Sequence, residues 1–229
     1  MKNNSLILAL DVGDLKTAKK FVQNLKDYID IFKIGSILFT REGPAVIRMI
    51  KRLRKKVFLD LKYHDIPNTV GMAVKSAREL GIDMLTIHTS GGFEMMQEAV
   101  RNKGKMFLFG VTVLTSIDKK ILKFQLGVDR DVKKQVVMLA KMAKMAGLDG
   151  VVASGNEIEQ IRRACGRNFL ILVPGVRPLC EAHGDQKRVV APSDALRRGA
   201  NFIVVGRPIL KASDPVKITE SIIKEMRQR

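Results

Sequence analysis

The strongest constraint on the fold is a repeat. Eight times along 229 residues, a short apolar run is followed by a stretch whose apolar residues recur at helical spacing. Leu6 to Asp11 (LILALD) opens the series, then Gly13, then a helical pattern carrying Ala18, Phe21, Val22 and Leu25. Ile31 to Gly35 pairs with a helix near Pro44 to Leu53, Val57 to Lys62 with one near Thr69 to Leu80, and Met84 to His88 with one near Glu94 to Arg101. Met106 to Leu114 precedes a helix near Val132 to Ala146, and Val151 to Ser154 one near Glu157 to Ala164. Phe169 to Pro174 leads to a short helix near Ser193 to Arg198, and Phe202 to Gly206 to a last one near Pro215 to Met226. Strands that are apolar on both faces belong in a parallel sheet covered by helices, and eight such units closing on themselves make an α/β fold of the (β/α)8 TIM-barrel type. The length suits one domain over residues 1–229. An open doubly wound sheet would carry a Gly-x-Gly-x-x-Gly turn after its first strand, and Asp11-Val12-Gly13-Asp14-Leu15 does not.

In a barrel the C-terminal ends of the strands form the active face, so polar residues that end apolar strands should converge there. They are Asp11, Lys33, Asp60, Lys62 and His88. The densest chemistry is Asp60-Leu61-Lys62-Tyr63-His64-Asp65-Ile66-Pro67-Asn68-Thr69, directly after Val57-Phe58-Leu59. Strand alternation places Phe58, Asp60 and Lys62 on one face and Leu59 and Leu61 on the other. Burying such charges is costly unless they are paired, and Asp65, three residues on, offers Lys62 a second carboxylate. Asp11, Lys33, Asp60 and Lys62 are therefore expected to form one cluster of alternating charge.

The last two units carry a different chemistry. Pro174-Gly175-Val176-Arg177 ends the seventh and Val205-Gly206-Arg207-Pro208 the eighth. Glycine lets backbone N–H groups come close to a ligand and Arg can grip a phosphate with two hydrogen bonds, so a small phosphate ester is expected at this edge. The long segments Thr115 to Arg130 and Gly175 to Pro192 follow strand ends and are candidate lids. No His, Asp or Glu spacing suggests a metal site, His64, His88 and His183 included, and Ser90-Gly91-Gly92 reads as a plain helix entry. Cys165 and Cys180 are too few for a disulfide framework and are expected as free thiols.

The chain is basic, with 41 Lys and Arg against 23 Asp and Glu. These cations are interleaved with apolar residues in helical stretches such as Arg48 to Lys56 and Lys141 to Lys144, so they form a solvated surface rather than a nucleic-acid stripe. Their field would still draw in an anionic substrate. With no apolar run of membrane-spanning length and only a short polar start at Met1 to Ser5, the expectation is a cytoplasmic protein without membrane or nucleic-acid partners.

In order along nearly the whole chain stand LALD (Leu8 to Asp11), FKIG (Phe32 to Gly35), FLDLKYHDIPNT (Phe58 to Thr69) and VTVLTS (Val111 to Ser116). DGVVAS (Asp149 to Ser154), PGVRP (Pro174 to Pro178), GDQKR (Gly184 to Arg188) and IVVGRPI (Ile203 to Ile209) follow. This series resembles the orotidine 5'-monophosphate decarboxylase family. The resemblance implies decarboxylation of orotidine 5'-monophosphate (OMP) to UMP without metal or organic cofactor, by a homodimer. It implies Lys62 as the catalytic lysine, Asp60 beside the scissile carboxylate, and Lys33 as charged neighbour and ribose contact. Asp11 would bind a ribose hydroxyl, and Asp65 and Thr69 would reach the partner subunit's site. Thr115 and Ser116 would meet the pyrimidine, while Pro174, Arg177, Gln186, Gly206 and Arg207 would surround the substrate, with Arg177, Gln186, Gly206 and Arg207 holding its phosphate. The same Asp-x-Lys-x-x-Asp pattern occurs in Mg2+-dependent 3-keto-gulonate-phosphate decarboxylases and hexulose-phosphate synthases, which would need metal-holding carboxylates at other strand ends.

Overall fold

A computed structural model describes residues 5–176 and 190–227. Eight parallel strands close in chain order: β1 (Leu6–Ala9), β2 (Ile31–Gly35), β3 (Lys56–Tyr63), β4 (Met84–His88), β5 (Phe107–Val111), β6 (Gly150–Val152), β7 (Leu170–Pro174) and β8 (Phe202–Val205), with β8 returning to pair with β1. This is the barrel expected from the repeat. The helices are α1 (Leu15–Leu25), α2 (Ser36–Glu42), α3 (Pro44–Arg52), α4 (Pro67–Glu79), α5 (Phe93–Asn102), α6 (Val132–Met145), α7 (Ile158–Cys165), α8 (Pro192–Arg197), α9 (Arg207–Leu210) and α10 (Pro215–Arg227).

Two apolar layers follow from strand alternation. Ile7, Ala9, Ile31, Phe58, Met84, Phe109, Leu172 and Val204 fill the barrel interior, and Phe109 lies edge-on to Phe202 at 6.0 Å. Their strand neighbours, such as Leu6, Leu8, Phe32, Leu59, Leu85 and Ile171, face outward and pack with helix residues such as Val22, Ile47, Val74 and Ile161. The interior is thus a packed core that stops short of the C-terminal rim, where polar side chains take over.

At the opposite end, side chains that precede β4, β6 and β8 cap the neighbouring strands. Asp83 accepts the N–H of Val57 at 2.8 Å, Asp149 that of Leu108 at 2.8 Å, and Asn201 that of Ile171 at 2.9 Å. Each is in turn gripped by a cation: Lys51 on Asp83, Lys103 on Asp149, Arg162 on Asn201. These carboxylates and this amide satisfy strand-entry donors that the ladder leaves open, and the basic residues beside them are structural.

Element boundaries differ from the sequence expectation where polar chemistry interrupts a run. β1 ends at Ala9, so Asp11 lies past the strand rather than in it, and β5 ends at Val111, three residues before Leu114. An additional helix, α2, fills the gap before Pro44; Gly43 at φ +54 ends it, and Pro44 opens α3. Within Thr115 to Arg130, Ile121–Gln125 forms a single π-turn.

Candidate active site

The C-terminal rim opens into one cavity of about 250 Å3, approaching the roughly 300 Å3 at which small-molecule sites begin. Its floor is apolar, from Ala9, Phe58, Leu172 and Val204. Asp11, Lys33, Asp60 and Lys62 line one side, from β1 to β3; Pro174, Gly175, Gly206 and Arg207 line the other, from β7 and β8; and Thr115 stands beyond β5. The first and last quarters of the chain meet here because the barrel closes β8 against β1.

The charges form one chain of contacts. Asp60 Oδ2 lies 3.0 Å from Lys62 Nζ and 3.4 Å from Lys33 Nζ, and Lys33 Nζ lies 3.3 Å from Asp11 Oδ1. Burial increases along this chain toward its centre: the side chains of Lys33 and Asp60 are only 11% and 14% exposed, against 48% for Asp11. Burial acts to raise the Asp60 pKa, but the Lys33 and Lys62 ammoniums, with hydrogen bonds from Lys62 and Thr86, outweigh it and hold the carboxyl below its ordinary 3.8. Gly35, at the end of β2, makes room for the arrangement. A Cβ there would sit 3.1 Å from Lys33 Nζ and 3.3 Å from Asp11 Oδ1.

Local backbone geometry sets where Lys62 points. β3 and β4 pair regularly as far as Leu59 with Leu85, and pairing resumes at Tyr63 with Ile87. Asp60, Leu61 and Lys62 therefore oppose Thr86 alone, and Lys62 takes φ +54, in the left-handed region that non-glycine residues rarely occupy. The fully buried Thr86 sits in this bulge, its hydroxyl donating to Asp60 Oδ1 at 2.9 Å and accepting the Lys62 N–H at 3.0 Å. Despite the bulge, Asp60 and Lys62 reach the same cavity as Phe58, while Leu61 packs outward, as simple alternation leads one to expect.

Beside this cluster the His88 and His64 rings pack at a tilt, with centroids 5.4 Å apart and planes at 37°. Burial, then His64 and Lys62, depress the His88 pKa from its ordinary 6.5 against the pull of Asp60, which keeps the ring neutral. Among the described residues, no group of three or more His, Cys, Asp or Glu is placed to hold a metal ion.

The other expected site residues divide. Asp65 is exposed, with its Oδ1 accepting the Ile66 N–H at 2.7 Å. Within this chain it does not supply the second carboxylate that its spacing from Lys62 suggests: Lys62 pairs with Asp60, and Asp65 does not line the cavity. Thr69, near the start of α4, is likewise exposed, and Ser116 faces outward while Thr115 lines the cavity. Arg177 and Gln186 lie outside the described residues, as do Cys180 and His183; Cys165 is a buried free thiol. Sequence reading passed over Thr86 and the apolar wall of Val111, Val113 and Val152. For Thr86 there was a signal: it shares a face with Met84 and His88 and is a small polar residue in the middle of a strand that is otherwise apolar up to His88.

Comparison with known proteins agrees with this architecture. Residues 4–222 match the family described as Orotidine 5'-phosphate decarboxylase / HUMPS. An orotidine 5'-phosphate decarboxylase of Moorella thermoacetica is 46% identical over 97% of this chain and 92% of that protein, and one of Syntrophotalea carbinolica is 47% identical over 96% and 94%. The crystal structure of orotidine 5'-phosphate decarboxylase from Lactobacillus acidophilus superposes with a TM-score of 0.86 at 35% identity, covering 98% of this chain and 99% of that one. The chain belongs to the orotidine 5'-phosphate decarboxylase / HUMPS family.

Proposed function

We propose that this chain decarboxylates OMP to UMP and carbon dioxide, as one barrel domain over residues 1–229. What carries the reading is the Lys33–Asp60–Lys62 cluster on one side of a cavity whose other side offers Gly175, Gly206 and Arg207. Loss of carbon dioxide from an orotate ring leaves charge on a ring carbon with little means of delocalisation, so the site must stabilise that charge electrostatically. Lys62 has the compact charge for this and can deliver the proton afterwards, which an Arg could not. Asp60, kept ionised by its two cations, faces the substrate carboxylate and opposes it until it leaves. Lys33 and Asp11 bind the ribose, and Thr115 the pyrimidine; the outward-facing Ser116 is not assigned a contact in this arrangement.

The phosphate goes to Gly206 and Arg207, where β8 ends and α9 begins, beside Pro174 and Gly175; Arg177 and Gln186, outside the described residues, are assigned to it as further contacts. Binding energy released there, remote from the reacting carbon, is spent on the transition state. The exposed Asp65 and Thr69 serve the neighbouring site of a homodimer, which explains their position outside this chain's own cavity. The protein works in the cytoplasm, without nucleic-acid or membrane partners; no helix among the described residues is long and apolar enough to cross a membrane.

The donor set disfavours the Mg2+-dependent sugar-phosphate alternative. Both Asp60 oxygens are engaged, one by two ammoniums and the other by Thr86, so an incoming cation would meet Lys33 and Lys62 before a free carboxylate. The test is loss of orotidylate absorbance on adding purified protein in excess chelator. Turnover is expected; none at all, or strict dependence on added Mg2+, overturns the reading.

A further inference from the structure

Asp60 and Lys62 are two residues apart on a strand that is irregular between them, so something must hold their relative position. Their ion pair fixes only the side-chain tips. The Lys62 backbone is at φ +54, a strained conformation that persists only where its surroundings enforce it. In the bulge, where Asp60, Leu61 and Lys62 oppose one β4 residue, that residue is Thr86, fully buried on the inward face. Its hydroxyl has one proton and must satisfy two neighbours with opposite demands. The Lys62 N–H can only donate, at 3.0 Å, so the hydroxyl proton is left for the carboxylate, which can only accept, at 2.9 Å. The three groups form one directed chain, N–H to hydroxyl to carboxylate, in which each bond polarises the next.

We propose that Thr86 is the positioning residue of this site: one hydroxyl ties the Asp60 carboxylate to the Lys62 backbone, and so sets the direction from which Lys62 presents its ammonium to the cavity. Thr86 itself does not line that cavity. The consequence for turnover rests on the decarboxylase reading; the consequence for Asp60 does not. A valine has nearly the volume of threonine and no hydroxyl, so it would remove both bonds and leave the Lys62 N–H and Asp60 Oδ1 without this partner.

The experiment compares Thr86→Val, Thr86→Ser and wild type in two arms. In the kinetic arm, OMP turnover is expressed per UMP-binding site. Thr86→Val is expected to lower kcat roughly 10- to 100-fold, the scale of one hydrogen bond to a charged group, while KM and UMP affinity stay near wild type because UMP lacks the reacting carboxylate. Thr86→Ser, which keeps the hydroxyl, restores most of the loss. A wild-type kcat in Thr86→Val, or a loss that Thr86→Ser shares in full, overturns the proposal. The second arm needs no turnover. The groups facing Asp60 are Lys33, Lys62 and, farther off, Asp11 and His88, and the hydroxyl adds to its stability only while it is ionised. The gap in Tm between wild type and Thr86→Val should therefore narrow as the pH falls below 3.8, and a gap independent of pH shows a packing role only and overturns the proposal. Should wild type fail to decarboxylate OMP, the functional reading falls and this arm still decides Thr86. If the valine protein does not fold, Thr86→Ala takes its place with the same expected order.

Discussion

Replacing Asp60 by Asn removes the one charge that two buried or half-buried cations share, and its cost can be worked from the geometry. At 3.0 and 3.4 Å, each Lys–Asp60 contact contributes about 5 kcal/mol of gross attraction at an effective dielectric constant of about 20. Desolvation of the carboxylate and repulsion between the ammoniums offset most of that. Breaking a buried pair by deleting one partner leaves the other charge uncompensated, at typically about 3–5 kcal/mol. Because the Lys62 side chain is 35% exposed and recovers some hydration, the lower end applies, about 3 kcal/mol. In a chain of this length that is a fall in Tm of roughly 6–12 °C at pH 7. The sign with pH follows from the direction of the shift. Asp60 is held below its ordinary 3.8 in the folded state, so its contribution is complete above 3.8 and is lost as the pH falls through the folded value. A protonated Asp60 resembles an Asn, so the two proteins should converge in Tm as the pH falls below 3.8 and through the folded value, measured by circular dichroism from pH 7 downward. An Asp60→Asn protein as stable as wild type at pH 7, or a deficit that persists unchanged in acid, would refute the view that this carboxylate compensates Lys33 and Lys62.

Other consequences are as direct. Mixing inactive Lys62→Ala and Asp65→Ala chains should restore part of the OMP turnover, since in the proposed homodimer a mixed pair holds one intact site; an inactive mixture after verified subunit exchange would place Asp65 in its own chain's site. Gly35→Ala leaves a backbone that tolerates Ala, since Gly35 has φ −93, yet puts a Cβ 3.1 Å from Lys33 Nζ. It should keep the melting temperature within a few degrees and lower kcat/KM roughly tenfold, by displacing an ion-paired ammonium a few tenths of an ångström; unchanged kcat/KM would mean that Lys33 does not need its present place. His88, depressed below 6.5 in the fold, makes the unfolded chain the better proton acceptor, so wild type should lose stability as the pH falls through 6.5 toward the folded value. His88→Gln should flatten that part of the stability curve, and an identical slope in both proteins would show that the imidazole is not held neutral.

The fold was legible because it is repetitive: each strand has to be apolar on both faces, and the same constraint recurs eight times in the order that the barrel follows. The rim was legible for a related reason. A charge at the end of an apolar strand, as at Lys33 or Asp60, stands out against its neighbours, and the barrel brings such ends together whatever their separation in sequence. What alternation could not convey was the backbone between Asp60 and Lys62. Period-two reasoning placed both on one face, and they do share a cavity, but by way of a bulge with Lys62 in the left-handed region, after which Asp65 leaves the chain's own site. A bulge depends on what the neighbouring strand offers, here a buried hydroxyl on β4, 24 positions from Lys62 in sequence. The arithmetic of spacing that suggested two carboxylates around Lys62 within one chain thus gave way to register. Asp60 holds Lys62 from the same strand, Thr86 holds both from the next, and Asp65 is left facing outward, where a second subunit can use it.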